Sequence, residues 1–159
     1  MYLTVHSYGQ YFLYPWGYEK LDTHDRHELH NMGRIGAQAI QRVNPRRKYK
    51  VGSAAKMLYP ASGNSTEFDL VLEYISRRLI DFILCSKFVF PPCHTTLSSG
   101  GSDDWAKGGA GIKYSYTVEL PDTGAYGFLL PSSRIESVGK ETHAGFLAMF
   151  RKLILDKTG

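Results

Sequence analysis

Residues 112–120 read IKYSYTVEL, and this stretch decides the fold class. Apolar or aromatic residues occupy every second position from Ile112 to Leu120, and polar residues occupy the positions between them. This period-two pattern is typical of a β-strand with one face in a core. The turn sequence PDTG follows at residues 121–124. We therefore predict a strand over 112–120, with Glu119 on its polar face at the carboxyl end.

The sequence on both sides of this strand predicts strands and helices in alternation, which favours an α/β fold. Residues 2–5 and 11–14 have the composition of short strands. Asp22 and Thr23 provide N-cap chemistry for an amphipathic helix that ends near Asn44. Three further segments are interpreted as a loop-like stretch, a short buried apolar run and a final amphipathic helix: 49–59, 127–131 and 140–155.

The composition excludes several classes of protein. The chain has 159 residues, 43% apolar and 21% charged, so it has the size of one domain and is not a disordered tail, a collagen-like rod or a coiled coil. The net charge is +4, but the only basic run is RRKYK at 46–50, which does not favour nucleic-acid binding. No apolar stretch has the length of a membrane helix, and residues 1–10 lack the features of a secretory signal. Taken alone, the sequence predicts a cytosolic protein with no membrane contact.

Polar residues at the ends of predicted elements indicate a shared site. Glu119 closes the clearest strand, His6 lies where the first strand runs into a polar loop, and Tyr59 opens another loop. Ligands of open α/β sheets bind at the carboxyl ends of the strands. The alternative interpretation is that His6 is a hydrogen-bonded core histidine and Glu119 is solvated.

A second group of polar residues, His24, His27 and His30, is spaced so that two of them could share a metal on one side of a helix. No matching Cys or acidic cluster elsewhere completes a ligand set. Exposed helix surfaces often carry histidines, so a solvated surface is the competing interpretation.

Six strings along the chain carry a family resemblance. They are TVHSYGQ at 4–10, LYPWGY at 13–18, GSDDW at 101–105, GIKYSYTVEL at 111–120, DTG at 122–124 and YGFLLP at 126–131. In this order the strings resemble the pancreatic-type zinc carboxypeptidases, and long ordered strings are more specific than one short motif. The resemblance implies that residues 1–63 and 101–159 form the C-terminal part of a peptidase catalytic domain. The implied fold is α/β/α with a mixed central sheet.

The same resemblance implies roles for the residues of the predicted site. His6 matches a protein ligand of the catalytic zinc, and Glu119 matches the general base that acts on the zinc-bound water. Zinc lowers the pKa of its water towards ~7, so that a nearby carboxylate can take the proton. Tyr59 matches a mobile tyrosine that closes over the terminal carboxylate of the substrate. Ser7 and Tyr8 match subsite residues beside the metal ligand.

The resemblance also implies a substrate class. Asp103 matches the residue at the floor of the pocket for the C-terminal side chain, where an acid goes with Lys and Arg. A buried carboxylate selects a basic side chain because either charge left unpaired is costly. Ala54, near the pocket wall, is small enough to admit a long side chain. The implied protein is a secreted, carboxypeptidase B-like enzyme that acts on the C-termini of peptides or proteins.

Some of the family's residues have no counterpart in the sequence. The first two zinc ligands of the family come from an upstream His-x-x-Glu motif, and the arginines and asparagine that bind the substrate carboxylate and the oxyanion are also upstream. A catalytic zinc normally takes three protein ligands. We therefore expect this chain alone to be inactive and poorly stable. The alternative function is a non-catalytic relic that holds C-terminal peptides through Asp103 and Tyr59.

Residues 64–100 do not share the resemblance and are interpreted as a foreign insert. Deleting them joins residues 61–63, ASG, directly to GSDDW at 101–105, as in the family. The dipeptide Gly63-Asn64 can be encoded with GTAAT, as at the start of an intron. Residues 90–100 can be written largely with pyrimidine-rich codons, as at the end of an intron. These features predict a retained intron. The competing interpretation is a genuine surface insertion, which loops tolerate at small entropic cost.

Overall fold

The computed structural model describes residues 1–58 and 101–158, which form a mixed β-sheet with helices packed on it. Tyr59 and the segment 64–100 lie outside the described residues. The elements follow one another along the chain as β1 (Tyr2–Ser7), β2 (Tyr11–Tyr14), α1 (Arg26–Val43), β3 (Lys50–Ser53), α2 (Ala54–Met57), α3 (Ser102–Gly108), β4 (Ser115–Leu120), a 3-10 turn (Ser132–Arg134) and α4 (Ile135–Thr158).

The sheet has the strand order β1-β4-β2-β3. β1 runs parallel to β4, β2 runs parallel to β3, and the two pairs meet antiparallel between β4 and β2. The carboxyl ends of β1 and β4 therefore lie at the same edge as the amino ends of β2 and β3. This arrangement confirms the predicted α/β class with a mixed sheet.

The strand predicted over 112–120 is shorter and more buried than its pattern indicates. β4 begins at Ser115, and both Ser115 and Glu119 are buried, although they occupy the face predicted to be polar. The reason is the position of β4 between β1 and β2, with helix α3 in contact with it. The alternative interpretation of Glu119 as a solvated residue is therefore wrong.

Helices α1 and α4 make the most extensive contact between elements in the described part of the chain. The helices approach closely at two glycines. A Cβ at Gly36 would lie 2.7 Å from Met149 Sδ, and a Cβ at Gly145 would lie 2.8 Å from Ile40 Cγ1. Both helices contribute to one core with β2 and β4, whose buried members are Phe12, Tyr14, Leu29, Met32, Ile40, Tyr116, Val118 and Met149.

Two other expectations from the sequence need correction. The stretch 49–59, expected to be loop-like, contains strand β3 and the short helix α2, because its backbone pairs with β2. Residues 127–131 are not a buried run, since Phe128 is 72% and Leu129 85% exposed in the loop that follows β4.

The helix boundaries also differ from those predicted. Asp25 is the residue that precedes α1, because the backbone amide of Arg26 donates to the Thr23 carbonyl in a turn before the helix. Asp22 and Thr23 therefore do not cap it. α4 spans Ile135–Thr158 and is longer at both ends than the predicted 140–155.

Candidate active site

One row of paired residues crosses the sheet at the edge where the predicted site lies. His6 on β1 pairs with Glu119 on β4, Glu119 pairs with Tyr11 on β2, and Tyr11 pairs with Lys50 on β3. Residues paired across neighbouring strands project their side chains to the same face of a sheet. The row therefore places an imidazole, a carboxylate, a phenol and an ammonium side by side.

His6 and Glu119 are in direct contact. The distance between His6 Nδ1 and Glu119 Oε2 is 3.3 Å, with the imidazole 64% exposed and the carboxylate side chain 11% exposed. Burial raises the pKa of Glu119, while the neighbouring His6 opposes the shift. A buried carboxylate with a raised pKa is a stronger base than an ordinary one, which suits general acid–base chemistry. The structure thus brings together the two residues that the sequence placed at strand ends.

His6 and Glu119 line a cavity of about 840 Å³ that also takes in Ser7 and Tyr8. The Tyr8 ring packs edge-on against Phe128, with 5.2 Å between the ring centroids. The cavity therefore has polar, titratable side chains on one side and aromatic rings on another, a combination suited to holding a small organic group. Its lining is completed by Gly9, Gln10, Tyr11, Arg46, Lys48, Lys50, Leu58 and Thr123.

Asp103 does not line this cavity. It is 3% exposed, its Oδ2 atom has no hydrogen-bond partner among the described residues, and its pKa is raised by burial. A hydrogen bond to Thr117 opposes that rise, and Thr117 is two residues before Glu119 on the same face of β4. A buried carboxylate with a free oxygen is a strong candidate for pairing with a cation.

The adjacent Asp104 has a different, structural role. Its two carboxylate oxygens both accept from the Gly17 amide at 3.0 Å. Burial, together with the nearby Asp103, raises the pKa of Asp104 to about 6. Ala54 lies beside the same loop, since a Cβ placed on Gly17 would be 3.5 Å from the Ala54 Cβ. The structure therefore places Ala54 near the pair of aspartates rather than in the lining of the His6 cavity.

The described residues do not form a complete zinc site. No group of three or more His, Cys, Asp or Glu side chains within residues 1–58 and 101–158 could hold a metal ion. His6 supplies one imidazole, whereas a catalytic zinc takes three protein ligands. His6 alone therefore does not fit a resident zinc.

The same finding applies to His24, His27 and His30, which the structure does not bring together as a ligand set. His30 is half-buried and packs edge-on against Tyr14, with 6.2 Å between the ring centroids. Burial and the nearby Arg34 and Arg26 lower the pKa of His30. Nothing in the described part of the chain supports a metal patch on α1.

The part of the site on β2 and β3, Tyr11 and Lys50, was not predicted from the sequence. Tyr11 and Lys50 join it only because β2 and β3 lie in register beside β4. The Tyr11 ring packs on Gly9, where a Cβ would lie 2.5 Å from Tyr11 Cε2, so only glycine fits there. The signal present in the sequence is the alternation of basic residues at 46, 48 and 50, which by itself bears only on nucleic-acid binding.

A mixed α/β sheet with an imidazole–carboxylate pair at one edge defines a candidate hydrolase site. The sequence profile of the zinc carboxypeptidase family matches the chain in two stretches, residues 1–97 and 91–145. The chain therefore belongs to the zinc carboxypeptidase family, a family of hydrolases.

Individual relatives agree with this assignment. The chain is 35% identical over 145 residues to carboxypeptidase B of Astacus astacus, covering 91% of this chain and 35% of that protein. It is 34% identical over 144 residues to carboxypeptidase A4 of Mus musculus, covering 91% of this chain and 25% of that protein. A structure of bovine thrombin-activatable fibrinolysis inhibitor in complex with tick carboxypeptidase inhibitor matches with a TM-score of 0.70 and 28% identity, covering 98% of this chain and 40% of that one.

The chain thus spans about a quarter to a third of the length of these curated relatives. Both A-type and B-type carboxypeptidases match at nearly equal identity, so overall similarity does not decide the substrate preference. Among the helices described, none combines the length and apolar character needed to cross a membrane.

Proposed function

We propose that this chain is part of a carboxypeptidase B-like zinc enzyme that hydrolyses the last peptide bond of peptides or proteins and releases Lys or Arg. The observation that carries the proposal is the buried Asp103 carboxylate, whose Oδ2 has no hydrogen-bond partner among the described residues. A cation on the substrate would compensate this charge, whereas an apolar side chain would leave it unpaired. Discrimination between Lys and Leu at the C-terminus follows from that difference.

In this proposal Glu119 is the general base. Its raised pKa favours uptake of a proton from an attacking water, and its Oε2 atom is in contact with His6 Nδ1 in the same cavity. His6 is proposed as one ligand of the family's zinc, which as a Lewis acid would polarise the scissile carbonyl in the complete enzyme. The remaining ligands are not among the residues described, so this chain alone is expected to be inactive.

The other substrate contacts are proposed by position. Ser7 and Tyr8 line the cavity beside His6, where they would contact the residues that precede the scissile bond. Ala54 is proposed to leave space for a long basic side chain near Asp103. Tyr59, outside the described residues, is proposed to close over the terminal carboxylate.

Residues 64–100 are proposed to be a foreign insert, from a retained intron, within the catalytic domain. The family match consists of two separate stretches, 1–97 and 91–145, which overlap inside this segment, and a match divided at that point supports an interruption there. Reading the mRNA through the codons for residues 63–101 tests the proposal. A spliced message that joins Gly63 to Gly101 is expected, and abundant native peptides from residues 68–87 would contradict it.

Peptide binding tests the proposed specificity on the 159-residue chain itself. Peptides ending in Lys should bind about tenfold more tightly than matched peptides ending in Leu, because only Lys pairs with Asp103. Asp103→Asn should remove that preference and keep the fold, since an amide is easier to bury than a carboxylate. Asp104→Asn is the matched control and should retain the preference for Lys. Equal binding of both peptides by the unsubstituted chain would refute a B-like pocket.

A non-catalytic peptide-binding relic is the second candidate. The buried Asp103 carboxylate favours it, because pairing with a basic side chain through Asp103 requires no metal. A metal chelator distinguishes the two candidate functions. The enzyme needs zinc, whereas peptide binding by a relic is unchanged in the chelator. Secretion is proposed from the family resemblance and is tested by the cellular location of the native protein.

A further inference from the structure

Three basic side chains share a cavity with the candidate catalytic pair. Arg46, Lys48 and Lys50 line the same cavity of about 840 Å³ as His6 and Glu119. All three cations are exposed, and they alternate in sequence along the chain that enters β3. None of them forms an ion pair with another residue in the ranges 1–58 and 101–158.

The sheet register fixes how far the backbone of Lys50 lies from that of Glu119. Glu119 pairs with Tyr11, and Tyr11 pairs with Lys50, so two strand spacings separate Glu119 from Lys50. Neighbouring strands lie ~4.8 Å apart, which gives about 10 Å between the two backbones. The Lys50 ammonium lies over the Tyr11 ring, 5.8 Å from its centroid, and is therefore on the Glu119 side of the sheet.

The charge of the lining is strongly one-sided. Among the residues of 1–58 and 101–158 that line the cavity, Glu119 is the only acidic one, and it faces His6. The three cations at the other end of the cavity therefore create a positive potential above the row of paired residues. A cavity wall of this kind attracts anionic groups and rejects cationic ones.

We propose that Arg46, Lys48 and Lys50 form a basic rim that recognises acidic side chains of the peptide substrate. The inference rests on the proposed function. In a substrate that is cleaved at its last peptide bond, all other residues lie on the amino-terminal side of that bond. An extended peptide advances ~3.3 Å per residue, so 10 Å corresponds to about three residues. The rim therefore selects Asp or Glu at about the third and fourth positions counted from the C-terminus, in addition to the terminal basic residue.

Calorimetric titration of the full 159-residue chain tests the rim. Two peptides end in the same Ala-Lys and carry either Glu or Gln at the third and fourth positions from the C-terminus. The Glu peptide should bind about three- to tenfold more tightly in 50 mM salt, as expected for two exposed ion pairs, and the advantage should shrink in 500 mM salt. In Lys48→Gln/Lys50→Gln, which leaves only Arg46 of the rim, the preference for the Glu peptide should largely disappear.

Arg151→Gln/Lys157→Gln removes the same charge from exposed positions on α4 outside the cavity, and it should keep the preference for the Glu peptide. A charge reversal, Lys48→Glu/Lys50→Glu, should make a peptide with Lys at those positions the better ligand. An unchanged preference for Glu in either rim variant would overturn the proposal.

Peptides ending in Leu distinguish failure of the rim from failure of the proposed function. Equal binding of the Glu and Gln peptides, with Lys still preferred over Leu at the terminus, would refute the rim alone. Loss of any dependence on the terminal residue would instead refute the proposed function and the inference that rests on it.

Discussion

Asp103 and Asp104 are adjacent in sequence, yet the structure gives them different chemistry. Asp104 is held by the Gly17 amide, whereas one oxygen of Asp103 has no hydrogen-bond partner in the part of the chain that the structure describes. Sequence reasoning separated them only by family resemblance, because a DD pair contains no information about which carboxylate finds a backbone donor. The His6–Glu119 pairing was easier to predict, since both residues close short strands.

The raised pKa of Asp104 predicts a specific dependence of stability on pH. Its pKa is about 6 in the folded protein, against an ordinary value of 3.8. The folded state therefore retains a proton that the unfolded state has lost, and stability falls as pH rises from about 4 to about 6. The expected loss is about 1–3 kcal/mol.

Urea denaturation of the unsubstituted chain and Asp104→Asn between pH 4 and pH 7 measures this effect. Asparagine does not titrate. The free energy of unfolding of the variant should therefore be lower than that of the unsubstituted chain at pH 4, and the difference should shrink as pH rises towards 6. The difference between the two proteins cancels the titration of carboxylates that do not interact with Asp104. A difference in free energy of unfolding that stays constant over this range would contradict the buried, raised pKa.

At the scale of elements, β4 and the two long helices were predictable, but β3 and α2 were not. β3 has only Val51 as a large apolar residue, so its conformation comes from pairing with β2 rather than from a local pattern. The exposed Phe128 and Leu129 show the converse, because an apolar run does not by itself specify what covers it. The register that brings Lys50 into the site depends on these long-range pairings and was not accessible from the sequence.

The contact between α1 and α4 predicts opposite effects for two glycines of the same helix. A Cβ at Gly145 would lie 2.8 Å from Ile40 Cγ1 and 3.1 Å from the Gly36 carbonyl oxygen, so Gly145→Ala should destabilise the fold by about 1–3 kcal/mol. A Cβ at Gly139 meets nothing within 4 Å, and Gly139→Ala should stabilise the helix by about 0.5–1 kcal/mol. Thermal unfolding of both variants measures the difference, and equal shifts would argue against the close crossing of the two helices.

At the scale of the whole molecule, the sheet unites the two described parts of the chain. β4 comes from residues 101–158, yet it lies between β1 and β2 from residues 1–58. Neither part completes the sheet or the core without the other, since the core combines Phe12 and Leu29 with Val118 and Met149. The family resemblance, which covers both parts, anticipated this union but could not supply the register.

This topology predicts that the fold survives deletion of residues 64–100. The deletion shortens the connection between Leu58 and Gly101 from about 42 residues to about 5, which reduces the loop-closure cost by about 2 kcal/mol. The shortened chain should unfold cooperatively in urea, with a free energy of unfolding higher by up to that amount. A variant that carries a Gly-Ser linker of equal length in place of 64–100 should match the original chain. Loss of the cooperative transition in both variants would instead show that the segment is an integral part of the fold, and the proposed insert would be wrong.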